Sequence, residues 1–86
     1  MTRYTYTLIK DGRAISLRRA TTARRFGGLL ASAKSQIQRK KGVVHLKVNY
    51  GRMMSNFGVE EEFINEGYYD NYEDLLLAWQ AFRAID

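Results

Sequence analysis

The chain has 86 residues, 45% of them apolar and 27% charged, and a formal net charge of +5. That composition suits one folded domain spanning residues 1–86 and excludes a disordered tail. With no cysteine and no proline there is no disulfide, no zinc–thiolate site and no thiol nucleophile. No apolar run is long enough to span a bilayer, and Met1-Thr2-Arg3 leads into no signal-peptide core, so a cytoplasmic protein is expected.

The first element reads as a hairpin. Tyr4, Tyr6 and Leu8 alternate with Thr5 and Thr7, the period of a half-buried strand. Asp11-Gly12 suits a two-residue type I′ turn, whose central residues both need positive φ. That turn would set Lys10 opposite Arg13, Leu8 opposite Ile15 and Tyr6 opposite Leu17. Tyr4, Tyr6, Leu8, Ile15 and Leu17 are then expected on one face, and Thr5, Thr7, Ser16 and Arg18 on the other.

A helix should follow. Thr21-Thr22 offers an N-cap, and Gly42 offers a C′ stop after the basic turn Arg39-Lys40-Lys41. Phe26, Leu30, Ala33 and Ile37 recur at helical spacing, with Arg24, Ser35 and Arg39 opposite them and Arg25 to the side. Gly27-Gly28 interrupts this pattern, since each glycine costs about 1 kcal/mol relative to alanine inside a helix. Either the helix begins after the pair, or a close neighbour requires the missing side chains.

Two further strands are expected over 43–50 and 59–69, joined by a turn at Ser55-Asn56-Phe57-Gly58. Val44, Leu46, Val48 and Tyr50 fall on one side of the first, and His45, Lys47 and Asn49 on the other. A turn centred on Asn56-Phe57 would pair Arg52 with Glu61, Tyr50 with Phe63, Lys47 with Glu66 and Val44 with Tyr69. Each such pair is worth roughly 0.2–1 kcal/mol. Gly51 and Gly67 are the places where a bulge would change that register. Asn71 then caps a last helix, with Asp74 three residues on and Glu73 favourably placed in the helix dipole. Its apolar stripe is Tyr72, Leu75, Trp79 and Phe82, flanked by Ala78 and Ile85. The order β-β-α-β-β-α predicts an α+β fold, a four-stranded, mostly antiparallel sheet with two helices on one face. The other face is left to solvent.

Charge is distributed unevenly. Residues 1–52 hold thirteen of the fourteen Lys/Arg and one acid, Asp11, whereas residues 53–86 hold eight of the nine acids and only Arg83. The first part therefore carries a net charge of about +12 and the second about −7. Arg18, Arg19, Arg24, Arg25, Arg39, Lys40 and Lys41 flank the first helix, with Lys10 and Arg13 at the hairpin tip. Such a surface suits the phosphates of RNA or DNA, which bind without base reading. Mutual neutralisation of the two halves explains the same charges equally well. Tyr4, Tyr6 and Tyr50 are expected in the core and not as stacking platforms for bases. The open face should mix Arg18, His45 and Lys47 with Glu60, Glu62 and Glu66, which suits a protein partner better than a nucleic-acid platform.

Catalytic equipment is sparse. His45 stands alone, Glu60, Glu61 and Glu62 alternate between faces of a strand, and no glycine-rich segment has the ending of a phosphate-binding loop. A protein without enzymatic activity, cofactor or metal is expected. Met53, Met54 and Phe57 crowd a hairpin tip where polar residues are usual, and Leu77 points away from the stripe of the last helix. These four are candidate protein contacts.

The stretch from Asn65 to Ala78, NEGYYDNYEDLLLA, runs from a short acidic-aromatic strand into a capped helix. In this it resembles small accessory proteins of phages and other mobile elements, a group that includes the anti-CRISPR proteins. The resemblance covers under a quarter of the chain and carries over no functional residue. It implies a stoichiometric inhibitor or adaptor acting on a host nucleic-acid machine in the host-cell cytosol. The basic balance departs from the acidic DNA mimicry common among anti-CRISPR proteins. The expected function is thus a binding protein that docks on a host protein or nucleoprotein complex such as a CRISPR effector. The alternatives are a plain nucleic-acid-binding module and a homodimer in which one basic helix meets another copy's acidic strand.

Overall fold

A computed structural model describes residues 1–40, 42–54 and 57–85, except for the side chains of Lys40 and Ile85. In chain order the elements are β1 (Arg3–Lys10), β2 (Arg13–Ala20), α1 (Ala23–Lys40), β3 (Val43–Met54), β4 (Glu60–Tyr69) and α2 (Tyr72–Ile85). The strands form one antiparallel sheet in the order β2-β1-β3-β4, giving the expected α+β architecture.

Strand order follows from which strands can line a core. Tyr4, Tyr6 and Leu8 of β1 and Val44, Leu46 and Val48 of β3 are each 1% exposed or less. The inward positions of β2, set by its pairing with β1, are Ser16, Arg18 and Ala20. Those of β4 opposite the same rows are Asn65, Gly67 and Tyr69. Only β1 and β3 bring three consecutive large apolar side chains to one face, so they take the centre and the other two become edges. Phe26, Leu30, Ala33 and Ile37 of α1, with Leu75 and Trp79 of α2, cover that face. Phe26 lies 5.6 Å from Tyr4 and 5.1 Å from Trp79 between ring centres, and Tyr4 meets Trp79 edge-on at 5.3 Å. Aromatic contacts of this kind add about 0.5–1.5 kcal/mol each beyond simple burial. The phenols find partners at the core's margin: Tyr6 Oη lies 3.1 Å from Ser32 Oγ, and Tyr50 Oη donates to the Phe82 carbonyl at 2.6 Å.

Two bulges alter the expected pairing. Asp11 and Gly12 form the turn, with φ of 53° and 75°, and Lys10 faces Arg13. Beyond that pair, however, Leu8 faces Ser16 and Tyr6 faces Arg18, because one extra residue, Ile15, is accommodated in β2. Ile15 and Leu17 are consequently 45% and 48% exposed and not part of the core, and Arg18 does not lie on the open face. In the second hairpin Val44–Tyr69, His45–Tyr68 and Lys47–Glu66 pair as the sequence implies. A bulge at Tyr50/Gly51, with Gly51 at φ 97°, then moves Arg52 from Glu61 to Glu62 and Phe63 from Tyr50 to Gly51. β3 continues to Met54, four residues past its expected end, and Ser55 and Asn56 of the expected turn lie outside the described residues.

The helix caps follow local chemistry. Thr22 caps α1, its Oγ1 accepting from Arg25 N at 3.3 Å. The helix runs through both glycines: a Cβ on Gly28 would meet nothing within 4 Å, and one on Gly27 only Trp79 Nε1 at 4.0 Å. No close neighbour among the described residues therefore demands either glycine. Gly42 is not a left-handed C′ stop; it has no positive φ, and a Cβ there would sit 2.8 Å from the Ile9 carbonyl oxygen. It is required by the close passage of the chain over β1. Asn71 caps α2 by accepting from Asp74 N at 2.9 Å and donating from its amide to Asp74 Oδ2 at 2.8 Å. No helix among the described residues is long and apolar enough to cross a membrane.

Two glycine substitutions should therefore have opposite signs in thermal denaturation. Gly28→Ala is expected to stabilise by up to about 1 kcal/mol, raising Tm by roughly 4–8 °C per kcal/mol. Gly42→Ala should cost about 1–3 kcal/mol through overpacking against β1. A loss of stability at Gly28 would show that its backbone needs glycine for a reason other than space.

Candidate nucleic-acid interface

The sheet turns an asymmetry along the chain into one across space. β2 carries Arg13, Arg18 and Arg19 and no acid, whereas β4 carries Glu60, Glu61, Glu62 and Glu66 and no base. Two strands lie between them, and at about 4.8 Å per strand the edges are roughly 14 Å apart. Among the described residues the ion pairs are Arg52 Nε with Glu62 Oε1 at 3.9 Å and His45 Nε2 with Glu66 Oε1 at 3.8 Å, the latter only when His45 is protonated. Both join β3 to β4. Neither touches β2 or α1, so the basic and acidic parts meet directly along β3–β4, while the described cations of β2 and α1 form no ion pair.

The candidate phosphate contacts fall into two groups. Arg18 and Arg19, near the end of β2, lie close in the chain to Arg24 and Arg25 in the first turn of α1, and all four are exposed. Arg18 shares the helix-covered side with Tyr6, whereas Arg19 stands opposite Thr5 on the open face. Arg39 is also exposed but is fourteen residues from Arg25, about 21 Å along the helix axis. Lys40 ends α1 with its side chain outside the described set, and Lys41 lies outside the described residues altogether. The described cations do not form one patch.

Arg19 and Arg25 are joined by a residue that the charge runs of the sequence do not single out. Arg3, with Thr5, Leu17, Arg19, Thr21 and Arg25, lines an open groove of about 520 Å³ at the β2 edge. Its signal is present in the strand period, since Arg3 has the same parity as Thr5 and Thr7 and must share their face. Arg19 is harder to place, because its face depends on the bulge at Ile15.

The rest of the open face is mixed. His45 stacks on Tyr68 with ring centres 4.5 Å apart and planes 15° from parallel. Lys47 faces Glu66 across the β3–β4 pair, and Glu62 accepts from the Asn49 amide at 3.5 Å. Among the described residues no group of three or more His, Asp or Glu is placed to hold a metal ion.

The candidate protein contacts also separate. β1 pairs with β3 no farther than Asn49, so Gly51–Met54 and Glu60–Phe63 form a two-stranded arm beyond the body of the sheet. Met53 and Met54 are exposed on this arm, and Phe57 at its end is 93% exposed. Leu77 is exposed on α2 and belongs to the body.

Like charges gathered on one edge repel one another most at low ionic strength. The melting temperature should rise as salt increases from about 0.01 M to about 0.3 M, because the Debye length shrinks from roughly 30 Å to below 10 Å. A fall over that range would show that attraction between the edges outweighs repulsion within them.

No protein-family model, curated protein or solved structure matches the chain.

Proposed function

We propose that the chain is a non-catalytic binding protein whose basic edge, made by β2 and the start of α1, contacts nucleic-acid phosphates. The observation that carries this reading is the separation of charge across the sheet. Among the described residues, eight arginines and lysines at the end of β1 and on β2 and α1 form no ion pair, namely Lys10, Arg13, Arg18, Arg19, Arg24, Arg25, Lys34 and Arg39. A polyanion gains affinity from such a surface by releasing its condensed counterions. The acidic, apolar-tipped arm of β3 and β4 points to a different ligand, a protein. One chain holding both surfaces fits an inhibitor or adaptor on a nucleoprotein assembly. A host machine of the kind that phage and mobile-element proteins act on, such as a CRISPR effector, would offer both contacts.

The direct test is fluorescence anisotropy of short labelled single- and double-stranded DNA and RNA across a salt series. Affinity should fall with salt at a log–log slope of about −0.7 to −0.9 per phosphate contacted. Reversing Arg24 and Arg25 to Glu should weaken binding strongly and flatten that slope by about 1 for each phosphate no longer neutralised. Changing Met53, Met54 and Phe57 to Ser should leave oligonucleotide affinity almost unchanged while weakening a protein complex. Absence of binding at about 50 mM salt would overturn the nucleic-acid reading. If light scattering then showed a dimer that the same charge reversal dissolved, the basic surface would belong to a second copy.

A further inference from the structure

The basic edge is more than a diffuse field. We propose that the groove formed by Arg3, Thr5, Arg19, Thr21 and Arg25 is a discrete phosphate site that seats one phosphodiester of a nucleic-acid strand. This deepens the reading of the basic edge and rests on it.

Convergence is the first argument. Arg3 comes from β1, Arg19 from β2 and Arg25 from α1, three elements that border one groove at the sheet edge where β2 leads into α1. Thr5 and Arg19 are directly opposed, so their Cβ atoms stand about 5 Å apart, and Arg3 follows Thr5 on the same face. β2 ends at Ala20, whose side chain is buried, and Thr21 turns the chain into α1 so that Arg25 approaches from its first turn. A row of cations along one helix would splay outward; these three share a concave wall.

Chemistry is the second. Among the described residues no carboxylate lines the groove, and the first turn of α1 contains no acid. Within the same set none of the three guanidinium groups has an ion pair, a hydrogen bond or an aromatic partner. Each carries five N–H donors in a planar fork that matches two phosphate oxygens at once, and the two threonine hydroxyls add neutral donors. Three cations brought together without an anion repel one another, and a phosphate relieves that repulsion as it binds.

Shape is the third. About 520 Å³ is far more than a phosphate ion fills, and the groove is open, so a chain can enter and leave it. Leu17, half exposed, supplies an apolar side against which a sugar or base can rest. From Arg19 the same row runs through Thr5 to Lys47 before meeting Glu66 in β4, which bounds the strip suited to a polyanion.

Arg18 and Arg19 make the test sharp, being neighbours of equal charge on opposite faces. With the intact chain and a labelled single-stranded oligonucleotide, Arg3→Gln, Arg19→Gln and Arg25→Gln should each weaken binding by about tenfold. Arg18→Gln and Arg39→Gln, matched in charge, should weaken it by no more than about twofold, and Arg19→Lys should fall between. Melting curves of each variant control for folding. In parallel, inorganic phosphate added at constant ionic strength should shift the backbone amide resonances of Thr5, Arg19, Thr21 and Arg25, with chloride as the blank. Equal losses for Arg18→Gln and Arg19→Gln would overturn the discrete site while leaving nucleic-acid binding by the basic edge intact. Amide shifts with phosphate but no oligonucleotide binding would overturn the strand as its ligand, and the proposed function with it. No response to either probe would overturn both.

Discussion

Everything in this fold depends on one face of two strands. Six side chains of β1 and β3, Tyr4, Tyr6, Leu8, Val44, Leu46 and Val48, are withdrawn from water beneath Phe26, Leu30 and Trp79. At about 1.5–3 kcal/mol for each large apolar side chain, no other arrangement of these strands buries as much. Both helices must lie on that face, and the opposite one is left bare. β2 and β4 lack a comparable apolar row, so they can serve only as edges.

The charge pattern follows from that constraint. Thirteen of the fourteen basic residues precede position 53 and eight of the nine acids come after it, and the two parts meet in the sheet along the β3–β4 ladder. That ladder brings some opposite charges together, but β2 and β4, the most one-sided strands, occupy opposite edges and do not meet. The ion pairs that form among the described residues, Arg52–Glu62 and His45–Glu66, belong to the β3–β4 ladder and lie in partly or fully solvated positions where such pairs contribute little. What remains is a body with a basic edge, an acidic edge and a mixed open face between them.

Two single-residue irregularities decide which side chains serve which surface. The extra residue at Ile15 turns Leu17 and Arg19 onto the open face and Arg18 onto the covered one. The bulge at Tyr50/Gly51 lets Tyr50 keep its hydrogen bond to α2 while Arg52 turns toward Glu62 and the open face. In each case the side-chain period of two means that one inserted residue exchanges the faces of everything after it. The groove at Arg3, Arg19 and Arg25 is therefore a product of the first bulge.

Local chemistry alone specifies the element order, the Asp11-Gly12 turn, the Thr22 and Asn71 caps, and the membership of the core from β1, α1, β3 and α2. These are encoded by periodicity and by side chains that bond their own backbone, and both act over a few residues. The pairing of His45 with Tyr68 and Lys47 with Glu66 is legible for the same reason, since it lies on the near side of the bulge. Long-range packing was needed to turn Ile15 and Leu17 to solvent, to set Gly42 against the Ile9 carbonyl, and to bring Arg3 together with Arg19 and Arg25. An inserted residue leaves no mark in an alternating pattern when apolar residues stand at both parities, as Ala14, Ile15 and Leu17 do. Its place is set by how β2 fits against β1 while Ala20 is drawn under α1, and that requires the whole sheet.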